Sequence, residues 1–390
     1  MLVFSFKKSA SFFSALTLLT ALFIPPAKAQ VMIPAAPQLA ATAWILMDAH
    51  SGKIITEHNA DKRIPPASLT KMMTSYLLEY ELKQGNVALD DQVRISVKAW
   101  RTPGSRMFIR EGTYVSVSDL LRGVIIQSGN DASVAIAEHL AGSEESFADI
   151  MNQHAHVMGM NNTQFRNATG LPEEGHYSSA RDLAMLSRVK ILDYPEHYTI
   201  YSEREFTYNN ITQSNRNRLL WRDNTVDGLK TGHTDDAGYC LAASAEREGM
   251  RLISVVMGAR SDEGRAQESQ KLLTYGFRYF ETKRLYEQYQ VLNKAKIWKG
   301  TIDNIQLGLT EDLYATLPRG HLGDLRADMQ INPNIKAPIS AGTELGTLII
   351  ILGDEIITQK PLVALDNIPK AGFFKSLWHS LVMFFVSLFS

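Results

Sequence analysis

The sequence predicts a mixed α/β domain, then a small all-β domain, then a C-terminal amphipathic helix. Three observations lead to this order. Strand-like pairs stand at both ends of residues 30–280, with helical patterns between them, which is typical of one α/β domain. Short strand-like runs broken by Gly, Pro and Asn fill residues 281–368. Residues 369–390 return to helical spacing and carry many aromatic side chains.

The first segment of the chain predicts export. Residues 1–29 have a basic start, an apolar run to Ile24, and Ala27 and Ala29 in an Ala-x-Ala cleavage pattern. We expect a signal peptide rather than a transmembrane anchor, because the apolar run is short and the cleavage pattern is specific. Cleavage after Ala29 removes three lysines and no acidic residue, so the formal net charge changes from −1 to −4. This charge does not indicate a nucleic-acid partner.

Each element of residues 30–280 has its own local signal. Turn-rich stretches at 48–53 and 246–249 each separate two strand-like runs, and each predicts a hairpin. One helical pattern begins after Pro66 and ends at Gly85, and two more lie on either side of a break at 127–130. A further pattern begins at SARDLAMLSRV, and the last one covers residues 264–280. Residues 156–182 are polar and rich in Asn and Gly, so they predict a long surface loop.

The chain has one cysteine, Cys240, in the strand-like run GYCLAAS. An exported protein with one cysteine cannot form an internal disulfide, so its stability must come from its apolar core. No activating neighbour stands near Cys240 in the sequence. We therefore expect a small core residue rather than a catalytic thiol.

Three short motifs carry the chemistry. Ser68 and Lys71 stand three apart at the start of a helix, so both side chains should lie on one helical face, although such a pair alone is usually only a solvated first turn. Ser128-Gly129-Asn130 falls at the break between two helices, where a short turn can project both polar side chains. Lys230-Thr231-Gly232 precedes the second hairpin, and its glycine would let a substrate backbone approach closely.

The three motifs in this order, with these wide gaps, are far more specific than any one of them. With them, the chain resembles the low-molecular-mass penicillin-binding proteins that are D-alanyl-D-alanine carboxypeptidases. The resemblance is carried by IPPASLTKMMT, IIQSGNDASVAIAEHLAGS, GMNNTQFRNATGL, YSSARDLA and VDGLKTGHTDDAGYCL, and it covers nearly the whole chain. It implies a serine β-lactamase/transpeptidase-like catalytic fold and an enzyme attached to the periplasmic face of the cell inner membrane. The implied partners are the peptidoglycan stem pentapeptide and, as covalent inhibitors, β-lactam antibiotics.

The catalytic roles follow from the chemistry and from the resemblance. Ser68 needs a base, and Lys71 is the candidate if burial and a second cation, Lys230, lower its pKa. Ser68 would attack the carbonyl of the penultimate D-alanine, and water would hydrolyse the acyl-enzyme. Ser128 would pass a proton to the departing D-alanine. Asn130 can hold both Lys71 and the substrate amide, because its side chain donates and accepts.

The resemblance also implies the groups that bind the substrate. The backbone N–H groups of Ser68 and His233 would stabilise the anionic intermediate. Thr231 and an arginine would bind the terminal carboxylate, with Arg265 as the candidate and Arg216 as the second candidate. No histidine pair shows metal-ligand spacing, so we expect neither a metal nor another cofactor.

Three other functions stay open on the sequence. A β-lactamase of class A needs a glutamate for fast deacylation, and no Glu-x-x-Asn stands between Ser128 and Lys230. A DD-endopeptidase would use the same fold and motifs. A non-catalytic penicillin-sensing or wall-binding protein would not need the intact motif residues. The all-β domain could be a spacer toward the wall or a platform for a partner.

The tail has two faces. Ser376, Ser380, Ser387 and Ser390 fall near one stripe with Met383, and apolar residues cover most of the remainder, with Lys370 and Lys375 at the near end. The apolar run from Leu377 is shorter than the roughly 20 residues that span a bilayer. We therefore expect a helix that lies in the plane of the membrane and contacts lipid. The alternatives are packing on its own protein or a dimer contact.

Overall fold

The computed structural model describes residues 33–389, with side chains as far as residue 384. The expected signal peptide, residues 1–29, lies outside the described residues. The predicted fold class is confirmed: an α/β region is followed by strands and by a C-terminal helix. The helices are α1 Lys71–Gln84, α2 Val97–Arg101, α3 Val117–Ile125, α4 Asn130–Ala141, α5 Glu144–Val157, α6 Ala180–Asp193, α7 Pro195–Tyr198, α8 Leu219–Arg222, α9 Asp262–Tyr279 and α10 Phe373–Phe389. The strands before α9 are β1 Ala43–Asp48, β2 Ile54–His58, β3 Gln92–Arg94, β4 Tyr114–Ser116, β5 Glu205–Tyr208, β6 Ile211–Ser214, β7 Val226–Thr234, β8 Gly238–Arg247 and β9 Met250–Ala259.

A five-stranded antiparallel sheet forms the centre of the first region, in the order β2-β1-β9-β8-β7. Both predicted hairpins are present in it, β1–β2 and β8–β9. Helix α9 packs on one face and α6 on the other, so neighbouring residues of β1 enter different cores. Ile45 belongs to the cluster with α1 and α6, and Leu46 to the cluster with α9. Cys240 on β8 is fully buried, as expected, and burial raises the pKa of its thiol to about 11.

The first of the three motifs, Ser68 with Lys71, lies where the local signals place a helix start. Pro66 precedes a 3-10 turn, Ala67–Thr70, which leads directly into α1. Helix α1 ends at Gly85, whose φ of 75° is left-handed and therefore favours glycine. The second motif lies in the predicted break, because α3 ends at Ile125 and α4 begins at Asn130.

The expectation of a long surface loop at 156–182 is wrong in its main feature. Helix α5 continues to Val157 and α6 begins at Ala180, and much of the loop between them is buried, including Ala168, Thr169 and His176. The polar residues do not require water, because they bond within the protein. For example, His176 Nε2 lies 2.9 Å from Thr70 Oγ1.

The chain after α9 consists of strands, apart from one 3-10 turn at Leu322–Asp324 and the final helix. Its strands are β10 Phe280–Tyr286, β11 Asn293–Trp298, β12 Asn304–Gly308, β13 Leu313–Pro318, β14 Leu325–Ile331, β15 Ile335–Lys336, β16 Glu344–Leu352 and β17 Glu355–Ala364. Strands β10 and β13 pair with each other, and the others form a six-stranded sheet. Among residues 33–389 no helix, α10 included, is both long enough and apolar enough to cross a bilayer.

Candidate active site

A cavity of about 600 Å³ opens where the Ser68 turn, strand β7 and the start of α9 meet. Seven of the ten predicted site residues line it: Ser68, Ser128, Arg216, Thr231, Gly232, His233 and Arg265. The other three, Lys71, Asn130 and Lys230, are next to these residues and are 0%, 4% and 3% exposed. The tertiary structure therefore brings all the predicted residues to one place.

The Lys71 side chain lies at the centre of the site. Its Nζ is 3.2 Å from Ser68 Oγ, 2.7 Å from Asn130 Oδ1 and 2.5 Å from the carbonyl oxygen of Thr169. The Ser68 contact is the one that helical spacing predicts. The Thr169 contact comes from the buried loop between α5 and α6, and the sequence did not indicate it.

Asn130 has a fixed orientation. Its Nδ2 donates to the carbonyl of Pro103 at 2.6 Å, and its backbone N–H donates to the carbonyl of Ser105 at 2.7 Å. Because a proline carbonyl only accepts, the amide nitrogen of Asn130 must face Pro103 and the amide oxygen must face Lys71. The expected contact with Lys71 is present.

Ser128 has two unusual features. Its φ is +59°, which is rare outside glycine, and its Oγ is buried without a hydrogen-bond partner among the described residues. A buried hydroxyl without a partner is costly, and groups in such states are concentrated at functional sites. Ser128 lines the cavity, so this unpartnered hydroxyl lies at its wall.

Burial dominates the electrostatics of both lysines. The pKa of Lys71 is lowered to about 7, first by burial and second by the guanidinium of Arg216, while the carboxylates of Asp131 and Glu144 oppose this shift. Burial also lowers the pKa of Lys230 well below its ordinary value, and the charge of Lys71 adds to this. The sequence assigned the cation that acts on Lys71 to Lys230. In the structure the charges of Lys71 and Lys230 oppose each other, and Arg216 is a second cation that lowers the pKa of Lys71.

Strand β7 presents the third motif from the edge of the sheet. An edge strand has one unpaired side, which can hold an extended peptide. Gly232 packs against the Ser68 turn. A Cβ at position 232 would lie 3.1 Å from the Pro66 carbonyl oxygen and 3.2 Å from the Ser68 nitrogen. Glycine at this position therefore lets β7 pack closely on the Ser68 turn, in addition to the predicted close approach of a substrate backbone. The exposed His233 ring lies on the Tyr239 ring, with centroids 4.0 Å apart.

The two candidate arginines differ in their partners. Arg265 is 5% exposed and donates to the carbonyl of Gly232 at 2.9 Å and to the Asp262 carboxylate. Arg216 is exposed, and within residues 33–389 its side chain has neither a hydrogen bond nor an ion pair. Arg216 is therefore free to bind an incoming anion, whereas Arg265 already holds β7.

Several cavity residues were not found from the sequence. They are Ser105, Ser214, Asn215, Arg218, Tyr239 and Asp262. Ser105 precedes a backbone segment whose N–H groups donate to the Asp131 carboxylate. Ser214 ends β6, and Asn215 follows it. No local pattern marks these residues, because the elements and loops that carry them are brought to the cavity only by the tertiary fold.

Comparisons with known proteins agree with this geometry. A family model described as D-alanyl-D-alanine carboxypeptidase matches residues 30–261, and one described as penicillin-binding protein 5, C-terminal domain, matches residues 280–370. The chain is 46% identical to the D-alanyl-D-alanine carboxypeptidase DacC of Escherichia coli (strain K12), over 93% of each chain. It is also 46% identical to DacA of the same organism, over 94% of this chain and 95% of DacA.

A solved structure shows the same fold. It is described as penicillin binding protein 5 from Haemophilus influenzae, and it superposes with a TM-score of 0.82. The two sequences are 42% identical, and the match covers 86% of this chain and 100% of the other. The similarity therefore extends over both the α/β region and the strands that follow it.

Proposed function

The chain belongs to the D-alanyl-D-alanine carboxypeptidase family, and from this premise we propose how its site acts. It is a serine-type D-alanyl-D-alanine carboxypeptidase and a low-molecular-mass penicillin-binding protein. Its substrate is the peptidoglycan stem pentapeptide, from which it releases the terminal D-alanine. The observation that carries the proposal is the 3.2 Å contact between Lys71 Nζ and Ser68 Oγ at the wall of the cavity.

Acylation begins with neutral Lys71. Its lone pair takes the proton of the Ser68 hydroxyl, and Ser68 Oγ bonds to the carbonyl carbon of the penultimate D-alanine. The C–N bond to the terminal D-alanine then breaks. The departing nitrogen takes a proton from Ser128, which takes one from Lys71, so Lys71 becomes neutral again. A β-lactam follows the same course, except that its ring nitrogen stays attached to the acyl group.

Water completes the cycle. It adds to the ester carbonyl and gives one proton to Lys71, and the ester bond breaks as Ser68 Oγ regains a proton. The backbone N–H groups of Ser68 and His233 are the proposed donors to the oxyanion in both steps. Asn130 holds the Lys71 nitrogen and is within the site for contact with the substrate amide.

The terminal carboxylate binds to Thr231, Arg265 and Arg216. All three line the cavity, and a guanidinium can form paired, charge-assisted bonds with a carboxylate. Lys230 binds the substrate from beneath Thr231 and adds to the positive potential. The absence of an ion pair at Arg216 supports its direct contact, whereas Arg265 contributes charge from a position that Asp262 and Gly232 fix.

Arg216→Ala should reduce kcat/KM for a free-acid peptide far more than for the matching C-terminal amide. Each lost charge-assisted bond is worth about 1.5–3 kcal/mol, so the loss for the acid should be roughly tenfold to a hundredfold. Arg265→Ala should reduce kcat/KM for both peptides, and more for the acid, because it also releases β7. Steady-state kinetics with the two peptides measures this.

The matched control is Arg222→Ala, since Arg222 pairs with Glu263 and does not line the cavity. It should leave the ratio of the two kcat/KM values unchanged. Equal losses for acid and amide in both Arg216→Ala and Arg265→Ala would show that neither arginine binds the carboxylate.

The proposed function is tested with three substrates and one variant. The mature protein should release D-alanine from a pentapeptide that ends in D-Ala-D-Ala, and Ser68→Ala should not. A β-lactamase would instead turn over benzylpenicillin rapidly, and an endopeptidase would cleave a cross-linked muropeptide dimer. Covalent binding of penicillin without any D-alanine release would indicate a penicillin-sensing protein.

One observation disfavours the β-lactamase alternative. Among the described residues that line the cavity, Asp262 is the only carboxylate, and Arg218 and Arg265 both bind it. Glu144 accepts from the Ala168 N–H and pairs with Lys98. No carboxylate is thus placed to activate the deacylating water as class A β-lactamases require.

We further propose that the protein is exported and acts on the periplasmic face of the inner membrane, with α10 in the lipid surface. Helix α10 presents a strongly exposed apolar face: Phe373, Phe374, Leu377, Trp378, Leu381 and Phe384 are each 51–85% exposed. Its other side binds the β domain. Lys375 pairs with Asp303 at 2.8 Å, and His379 Nδ1 accepts from the Lys299 N–H at 2.7 Å. Lys375 therefore does not stand free beside the membrane.

Removing residues 370–390 should release the protein from membranes without loss of activity on small peptides. Burying a large apolar side chain yields about 1.5–3 kcal/mol, so six exposed ones supply most of the binding even if burial is shallow. High salt should have little effect, because few basic residues take part. Flotation with liposomes and a D-alanine assay on both forms measure this.

A double variant on the exposed face of α10 leaves the contacts of this helix with the β domain undisturbed. Phe374→Glu with Trp378→Glu should abolish liposome binding, while Ile356→Glu, which changes an exposed apolar residue of β17, should not. Membrane binding that survives both the truncation and the double variant would contradict the proposed anchor.

A further inference from the structure

The carbonyl of Thr169 is the shortest hydrogen-bond contact of the proposed base, at 2.5 Å from Lys71 Nζ. A neutral primary amine has two N–H donors and one lone pair. Asn130 Oδ1 and the Thr169 oxygen can only accept, so they take both N–H groups. The lone pair then remains for the Ser68 hydroxyl, 3.2 Å away. The geometry of the base therefore depends on where the Thr169 carbonyl points.

Asn167 determines the direction of that carbonyl. The Thr169 carbonyl and the Gly170 N–H belong to one trans peptide group, in which they point in opposite directions because the group is planar. The Gly170 N–H donates to Asn167 Oδ1 at 2.8 Å, on the side away from Lys71. Asn167 Oδ1 also accepts from the Thr169 N–H at 3.2 Å and from Thr169 Oγ1 at 2.9 Å. One amide oxygen thus fixes three groups of the loop.

Ala168, the residue before Thr169, is held by two other elements. The Ala168 N–H donates to the Glu144 carboxylate at 3.1 Å, and the Ala168 carbonyl accepts from Thr74 Oγ1 at 2.7 Å. The loop also packs tightly against the Ser68 turn, since a Cβ at Gly170 would lie 1.8 Å from the Ala67 carbonyl oxygen. The loop is therefore held near Lys71 by several contacts, and Asn167 adds the bonds that orient the peptide between Thr169 and Gly170.

We propose that Asn167 is a positioning residue for the general base: it turns the Thr169 carbonyl onto Lys71 and thereby directs the Lys71 lone pair to Ser68. This rests on the proposed function, in which neutral Lys71 accepts the Ser68 proton. Asn167 itself does not touch the cavity. Its Nδ2 donates to the Leu171 carbonyl at 3.1 Å and to the Glu173 carboxylate at 3.0 Å.

The charged and titratable groups around Lys71 must be considered in any pH measurement. They come from five other parts of the chain: Arg216, Lys230, the carboxylates Asp131 and Glu144, and His176. Replacing Asn167 with an uncharged residue changes none of these groups. A change in the pH dependence would therefore report on the hydrogen bonds of Lys71 itself.

The experiment is the second-order rate constant of acylation by benzylpenicillin, measured from pH 5 to pH 9. In Asn167→Ala the plateau should fall about 10- to 100-fold, because a misdirected base loses part of the 10²–10⁴-fold contribution of a positioned one. The acid limb should move to lower pH, because the charged form of Lys71 loses an acceptor. Asn167→Ser should recover part of both effects, since a serine hydroxyl can accept the same N–H groups more weakly.

The matched control is Asn152→Ala. Asn152 holds the same loop two residues earlier, through two bonds of 2.8 and 2.9 Å to Phe165. It should lower the thermal midpoint but leave the plateau and the acid limb as in the wild type. If Asn152→Ala reproduces the changes of Asn167→Ala, or if a folded Asn167→Ser keeps the wild-type profile, the positioning role is refuted. If the wild type is not acylated on Ser68 at all, the proposed function itself fails.

Discussion

Ser68→Ala is expected to abolish both covalent penicillin binding and release of D-alanine. The variant lacks the Ser68 hydroxyl, whose oxygen lies 3.2 Å from Lys71 Nζ, so no ester can form at residue 68. Mass spectrometry of proteolytic peptides after penicillin treatment should place the adduct on Ser68 in the wild type and show none in the variant.

Ser105→Ala serves as the control, since Ser105 also lines the cavity but makes no contact with Lys71. It should keep the adduct on Ser68. An adduct on any other residue of the wild type, or undiminished labelling of Ser68→Ala, would contradict the assignment of the nucleophile.

Lys71→Ala should slow acylation by roughly 10²–10⁴-fold, the usual contribution of a positioned general base. In the wild type the rate should rise as the pH increases through about 7, because only the neutral amine accepts a proton and burial lowers the pKa of Lys71 to about 7. The variant should lose this limb. Stopped-flow acylation across the pH range measures both effects.

Lys230→Ala should also weaken the reaction, through substrate binding and through the charge near Lys71. The control is Lys83→Ala, which changes an exposed lysine at the far end of α1, the helix that begins at Lys71. It should retain the wild-type rate and pH profile. Wild-type hydrolysis of pentapeptide by both Lys71→Ala and Lys230→Ala would rule out this mechanism.

Local signals predicted those parts of the site that lie close together in the chain. Ser68 and Lys71 are three residues apart at a helix start, and helical geometry alone brings their side chains together. Hairpins were predicted from turn residues, and the end of α1 from Gly85, because these depend on backbone conformation over a few residues.

Other features could not be predicted from such signals. The carbonyl of Thr169 is a backbone group, and every residue has one, so nothing in the residue type marks it as a contact of Lys71. The segment of residues 156–182 looked exposed because it is polar, whereas several of its polar side chains bond to the backbone of the segment or to the turn that precedes α1 inside the protein. Likewise, the docking of Lys375 and His379 on the β domain depends on strands that are distant in sequence.

The sequence by itself therefore predicted the order of the main elements, the proposed nucleophile and base, and ten residues that lie together at the cavity. The tertiary structure alone decided which of them touch: Lys71 bonds residues 59 and 98 positions away, and Arg216 adds a second cation that lowers its pKa. The physical reason is range. Helix starts, turns and caps depend on torsions within a few residues, whereas burial, charge–charge effects and hydrogen bonds between distant segments exist only once the chain has folded.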